Sequence, residues 1–365
     1  MSEHLEAIGL NKQYRKLMRP CEITNSTDFV IFQEYGRVGE PGLYGQMPVY
    51  ICKTSGFKML NPRYEDQFYK DYYEELYRKV AFGSAKPGND YIEQQKKRGD
   101  GVLSYVTKFV KKPGRMLDLG CASGATMIPW IESGWKCKGV DPHRASVETA
   151  VNDMNLDVYV GAGEFLPFDD DSFDLILCLG PHEHAYDLNR MFNETIRTLS
   201  DRGLLLIRWR SADIFGSPLE YYNHNHYRFF THNTWRLILR KYGFTILDKT
   251  SEKLEGWQSY EYILARKDLN PSVEEVQKLI ANGVKDDWRK ELEKIQFIRK
   301  DYYERCSDFL NLSERLQGRE NDIKNAVVNG DVRWTFMTEV PNLSVPRSIM
   351  EAQRYVAEYE SGNVR

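Results

Sequence analysis

The sequence predicts an α/β protein built around a seven-stranded, mainly parallel sheet, and three observations predict it. An apolar run over 116–119 ends in the small-residue turn Gly120-Cys121-Ala122-Ser123-Gly124, behind which a helix-like stretch opens. A second strand, 137–140, stops at Asp141, 23 positions after Asp118. Further apolar runs then alternate with helical stretches as far as residue 265. Strand, small-residue loop, helix and second strand make a parallel βαβ unit. In such a unit the acid ending the second strand lies beside the loop, at the carboxyl edge of the sheet, where it can grip a ribose diol.

The remaining strands follow in order at 157–160, 173–179, 203–209, 244–247 and 261–265, which with 116–119 and 137–140 makes seven. Helices fall between them at 143–152, 187–199 and 231–242, and Gly243 stands where a helix C-cap would. Alternation of this kind means a parallel sheet covered on both faces. The last two strands are joined by a short polar link over 249–256, too short for a helical crossover, so they are expected to be antiparallel.

The loop separates two nucleotide classes. A dinucleotide fingerprint wants glycine at i, i+2 and i+5, because a pyrophosphate must approach bare backbone at a helix N-terminus. Those positions are Gly120, Ala122 and Ala125, so two of the three are wrong. What stands instead, Asp118-x-Gly120-x-Ala122-x-Gly124, resembles the first motif of class I S-adenosylmethionine-dependent methyltransferases, with Ala122 in place of a more usual glycine. The resemblance implies a Rossmann-like seven-stranded methyltransferase sheet with an antiparallel ending, and S-adenosylmethionine as cofactor. It places Asp118, Gly120, Cys121, Ala122 and Gly124 against the methionine part, with Asp118 toward the ammonium, and Asp141 and Pro142 at the ribose. Gly161-Ala162-Gly163-Glu164-Phe165-Leu166-Pro167-Phe168 is similar to the loop that flanks the adenine, although the family's aspartate is Ala162. Backbone groups, with Gly163 and Glu164, are left to make that contact, and Leu179 to Glu183 are implied at the sulfonium end. The plain alternative is a Rossmann-like turn that holds no ligand.

Residues 1–80 carry a second resemblance. Arg19-Pro20-Cys21-Glu22-Ile23-Thr24 and Val49-Tyr50-Ile51-Cys52-Lys53-Thr54-Ser55-Gly56-Phe57 resemble the two knuckles of the zinc-binding domain that precedes some sugar C-methyltransferases. Tetrahedral zinc needs four ligands, and here Thr24 and Ser55 take the second place of each pair. The expectation is a ribbon-like domain without metal that covers the active site from the N-terminal side. Asn61-Pro62-Arg63-Tyr64 and Phe68-Tyr69-x-x-Tyr72-Tyr73 continue that family's pattern, in which an aromatic cluster faces the substrate. Helix packing is the plainer reading for most of these tyrosines.

Four of the seven histidines fall in two clusters, His182-Glu183-His184 after the fourth strand and His224-Asn225-His226 after the fifth. Both ends lie at the carboxyl edge of one sheet, and an imidazole suits a general base near neutral pH. The segment 222–231 resembles the Tyr-His-Glu-His-x-x-Tyr-Phe-Ser stretch of the same sugar methyltransferases. The resemblance implies His226 as base, with His224 and His184 supporting it and Asn225 where the family has glutamate. Without that carboxylate, methylation of an oxygen is expected over methylation of carbon. Tyr222, Asn225, Arg228 and His182 are the candidate substrate contacts, suited to a polar ring compound, and Arg208 and Arg210 add a positive rim. A metal held by the histidines is not expected, because only Glu183 and Asp187 supply carboxylates nearby.

A net charge of −3 gives no sign of a polyanionic partner, and no base-flipping motif is present. The sequence has no apolar run of about 18 residues, so no membrane span is expected. Six cysteines without framework spacing read as reduced thiols in a cytoplasm. Residues 81–268 are expected to form the methyltransferase domain and 269–365 a mainly helical extension. There Trp288, Leu292, Ile295 and Tyr302 recur at spacings of 4, 3 and 7, and the stripe must fold back on the chain or pair with a second copy. The expected function is methylation of a hydroxyl on a sugar, sugar nucleotide or glycan intermediate. The alternatives are C-methylation of a nucleotide sugar, or a non-catalytic scaffold on the same fold that binds partners through its C-terminal helices.

Overall fold

A computed structural model of the chain describes residues 14–37, 44–77, 86–210, 226–253 and 259–296. The N-terminal part holds β1 (Lys16–Leu17), β2 (Phe29–Arg37), β3 (Tyr44–Cys52), β4 (Lys58–Leu60), β5 (Arg63–Tyr64) and α1 (Asp66–Asp71). Two tight turns close on themselves, Asn25 N–H donating to Cys21 O and Gly56 N–H to Cys52 O. They bring the four knuckle positions together, with Cys21 Sγ 3.4 Å from Ser55 Oγ and Thr24 Oγ1 3.8 Å from Cys52 Sγ. Below them Tyr14, Tyr64, Phe68, Tyr72 and Tyr227 form a buried aromatic core.

The chain then runs α2 (Asn89–Val106), β6 (Arg115–Leu119), α3 (Ile128–Glu132), β7 (Lys136–Asp141), α4 (Arg144–Glu148), β8 (Val158–Val160), β9 (Phe173–Cys178), α5 (Pro181–His184), α6 (Leu188–Thr198), β10 (Leu199–Arg210), β11 (Arg228–Phe229), α7 (His232–Lys241), β12 (Phe244–Lys253), β13 (Ser259–Lys267) and α8 (Val273–Ala281). All seven expected strands lie in one sheet, in the order β12-β13-β10-β9-β6-β7-β8. Strands β6 to β10 run parallel, whereas β13 is antiparallel to both of its neighbours. That order, with its reversed last strand, is the class I methyltransferase topology.

Consecutive residues of the central strands go to opposite sides. Leu117, Leu119, Ile176 and Ile207 enter one core, while Met116, Leu175, Leu177 and Leu206 enter the other. A strand covered on both faces reads as an unbroken apolar run, which is why these strands stood out in the sequence. Gly243, at φ +81, ends α7 in the left-handed region that glycine enters without steric strain.

Two long-range features join the N-terminal part to this sheet. β11 pairs antiparallel with β4 and so completes a four-stranded sheet in the order β11-β4-β3-β2. The described part of the C-terminal stripe folds back, Trp288, Leu292 and Ile295 packing on the aromatic core and Lys58 Nζ meeting Glu291 Oε2 at 2.5 Å. Tyr302 lies outside the described residues. No described helix is long and apolar enough to cross a membrane.

Candidate functional site

At the carboxyl edge of the sheet a cavity of about 790 Å³ opens between the large sheet and the N-terminal part, within the size range of small-molecule sites. Its floor is the turn after β6. Gly120 and Cys121 both donate their N–H to Val140 O, at 2.8 and 3.2 Å, which ties the turn to the end of β7. Gly120 sits at φ +71, and a Cβ there would stand 2.9 Å from Pro181 Cβ, so glycine is required by conformation and by space. Ala122 also lies in the left-handed region, at φ +49. That is the position where the family motif carries glycine, and alanine holds it under strain.

The loop and the acid at 141 meet directly. Asp141 Oδ2 accepts the Ala122 N–H and Oδ1 accepts the His143 N–H, both at 2.8 Å. The carboxylate is thereby fixed on the cavity wall. Asp118 is 2% exposed, and its Oδ2 has no hydrogen-bond partner. Burial, then the neighbouring Asp141, pushes its carboxyl up to about 7, while Arg98 draws it down. A buried carboxylate oxygen left unmatched on a cavity wall suits a cationic ligand group. Pro142, Ala162, Gly163, Glu164 and Leu179 also line the cavity. Glu164 is already engaged, accepting the Asp187 N–H at 3.3 Å. Gly124 does not line the cavity; a Cβ on it would stand 3.0 to 3.2 Å from Met127, Leu156 and Val158, so it serves the packing behind the loop.

The far end of the cavity carries the histidines. His184 and His226 have ring centroids 4.9 Å apart, and Glu183 Oε2 lies 3.6 Å from His226 Nε2. Burial pushes the Glu183 carboxyl up to about 7, with Arg210 and Arg208 pulling the other way. Tyr73 Oη is 2.9 Å from His184 Nδ1, and the Tyr227 hydroxyl donates to Tyr73 Oη at 3.0 Å. Glu183 thus stands beside His226, so the imidazole has a carboxylate against it although the adjacent position is Asn225.

Two substrate candidates are corrected. His182 is fully buried, its ring packed edge-on against the stacked Phe230 and Trp235 rings at 5.1 and 4.9 Å, and it does not line the cavity. Residues 181–184 form a helical turn rather than a strand, and two positions along a helix is roughly 200° of rotation, so His182 and His184 diverge. Arg228 is also fully buried. Its guanidinium pairs with Glu22, which Arg63 grips from the other side at 3.0 Å, and donates to Ala185 O. It binds the N-terminal part to the sheet rather than a ligand to the cavity. Tyr222, His224 and Asn225 lie outside the described residues.

Sequence reasoning missed one wall. Tyr91, Gln95 and Arg98 of α2 line the cavity, with Gln95 Oε1 accepting from Thr126 Oγ1 at 3.1 Å and from Arg98 at 2.9 Å. Their i, i+4, i+7 spacing was a polar face readable as such. Across from it the Arg208 guanidinium stacks 3.2 Å over the Tyr260 ring. Tyr69, Tyr73 and Tyr77 also line the cavity, whereas Phe68 and Tyr72 are core.

Residues 91–249 match the model of a family described as a methyltransferase domain. Among curated proteins the chain is similar to the uncharacterized methyltransferase YcgJ of Bacillus subtilis, 33% identical over 111 residues, which is 29% of this chain and 44% of that protein. It is 25% identical over 152 residues to the ubiquinone biosynthesis O-methyltransferase of Bartonella tribocorum, covering 37% of this chain and 62% of that one. The chain thus spans about half the length of the curated relatives it matches. Among solved structures, the Burkholderia thailandensis 1,6-didemethyltoxoflavin-N1-methyltransferase with bound S-adenosylhomocysteine aligns at a TM-score of 0.45 and 16% identity, over 58% of this chain and 96% of that one.

Proposed function

We propose that the protein is an S-adenosylmethionine-dependent methyltransferase that acts in the cytoplasm on a hydroxyl of a small polar acceptor, a sugar, sugar nucleotide or glycan intermediate, with His226 as general base. The observation that carries this reading is the 2.8 Å bond from the Ala122 N–H to Asp141 on the wall of one cavity whose opposite end holds Glu183 and His226. Asp141 suits the ribose, Asp118 the ammonium, and Ala162 to Glu164 the adenine side. The cofactor supplies an activated methyl group; the chain must align an acceptor oxygen with it and take one proton. In this reading His226 takes that proton, and Glu183, 3.6 Å from it, steadies the imidazolium that forms. An alcohol asks less of such a base than a carbon acid does, which favours O-methylation.

The test is a mass-spectrometric screen of sugars and sugar nucleotides, incubated with protein and S-adenosylmethionine, for acceptors heavier by one methylene, run beside His226→Ala. The expected result is a methylated product, a rate rising with pH as the Glu183 carboxyl ionises at about 7 and can support the imidazolium, and a loss of about a hundredfold or more in the variant. Equal rates in parent and variant would remove the base assignment. Absence of any heat on titration with S-adenosylhomocysteine would remove the cofactor and leave a scaffold.

A further inference from the structure

We propose that Glu183, His184 and His226 form a site for a divalent first-row transition cation of the zinc class. One ligand atom from each of the three lies within 4.8 Å of the other two. The donor set is two imidazole nitrogens and one carboxylate oxygen, which suits such an ion far better than magnesium or calcium. Tetrahedral bonds of about 2.1 Å place ligand atoms roughly 3.4 Å apart. Glu183 Oε2 and His226 Nε2, at 3.6 Å, already stand near that spacing.

The surroundings fit as well. Ligating histidines usually carry an outer hydrogen bond that fixes the ring, and Tyr73 Oη gives His184 Nδ1 such a partner at 2.9 Å. Tyr73 is in turn held by the Tyr227 hydroxyl. All three ligands line the cavity, so a fourth coordination position opens into it. The sequence offered little carboxylate and so gave no reason to expect a metal; in the fold one buried carboxylate is enough, because the two imidazoles come from segments 42 positions apart. A base needs only His226 and its neighbour, whereas the third convergent ligand is explained by an ion.

The site goes beyond methyl transfer, and its presence does not depend on that reading. Its consequence does: an ion seated there holds the lone pair that His226 would use on the acceptor proton, so it inhibits. The experiment uses the full-length, tag-free protein, stripped with a chelator and titrated with zinc chloride by calorimetry and with cobalt(II) chloride by visible absorption. One equivalent is expected to bind, with tetrahedral cobalt bands. Uptake is lost in His184→Ala and His226→Ala and is roughly tenfold weaker in Tyr73→Phe, which keeps every ligand. Binding of S-adenosylhomocysteine by each variant identifies one that has not folded. Cys52→Ser is expected to leave uptake unchanged. No stoichiometric uptake, or uptake that follows Cys52→Ser instead of His184→Ala, overturns the proposal. With an acceptor in hand, inhibition by one equivalent of zinc supports both the site and the base, while acceleration supports the site and removes His226 as base.

Discussion

Titrating Asp118 tests whether the cofactor loop is built for a cation. Its carboxyl stands at about 7 against an ordinary 3.8, raised by burial and by Asp141. The difference of about 3 units is a penalty on the ionised form of roughly 4 kcal/mol. For an acid whose folded pKa is raised, the stabilising contribution is complete below the ordinary value and is lost as pH rises through about 7. A bound ammonium compensates the charge, so ligand binding should expel the proton. Each pH unit below 7 then weakens binding about tenfold, or 1.4 kcal/mol. Calorimetric titration with S-adenosylhomocysteine at pH 6, 7 and 8, in buffers of different ionisation enthalpy, reads this directly. Affinity should rise about tenfold from pH 6 to a plateau near pH 8, with close to one proton released per ligand at the acid end and none at the alkaline end. Asp118→Asn should bind more weakly at pH 8 by about 1.5 to 3 kcal/mol, show no pH dependence over this range, and unfold at a higher temperature than the parent at pH 8. A parent affinity that is flat from pH 6 to pH 8 would show that no ligand cation meets the Asp118 carboxylate.

Other consequences can be checked on the same protein. Glu22 is driven up by burial but pulled down to about 2 by Arg228 and Arg63, against an ordinary 4.5. Its contribution is therefore present above about 4.5 and is lost as pH falls toward 2, about 3 kcal/mol in all. Glu22→Gln leaves two buried guanidinium groups without a counter-charge and should lower stability in urea at pH 7 by about 3 to 5 kcal/mol; a loss below about 1 kcal/mol would contradict the ion network. Ala122→Gly relieves a left-handed alanine worth about 1 to 2 kcal/mol and returns about 0.5 to 1 kcal/mol as backbone entropy. A rise in Tm of roughly 1 to 3 °C is expected by scanning calorimetry, and a fall would show that the strain argument is wrong.

The large sheet was legible because its strands are buried on both faces, and an unbroken run such as 175–178 needs no partner to be recognised. The motif loop was legible because its small residues are dictated by local backbone: Gly120 by space and φ, Ala122 by φ. The histidines were less so. Whether His182 and His184 share a side depends on strand or helix, and a four-residue element starting at Pro181 carries too little pattern to decide. Arg228 looked like a ligand contact because its partner Glu22, which Arg63 shares, lies more than 150 positions earlier, a distance at which no spacing rule operates. The carboxylate beside His226 was missed for a similar reason, since proximity in sequence pointed to Asn225 and proximity in space supplies Glu183.

Strand β11 belongs by sequence to the half that carries the large sheet and by hydrogen bonding to the N-terminal sheet, with Arg228 sealed against Glu22 across the seam. Anyone seeking to retarget this protein by grafting a foreign leading segment would therefore inherit a matching problem. The donor must bring its own mate for Arg228 and Phe229 and an acid at the place of Glu22, or the recipient is left with an unzipped edge and an orphaned guanidinium. In recombination between homologues, crossovers between residues 65 and 227 would split that set and be selected against, while exchanges that keep both sides from one parent would survive.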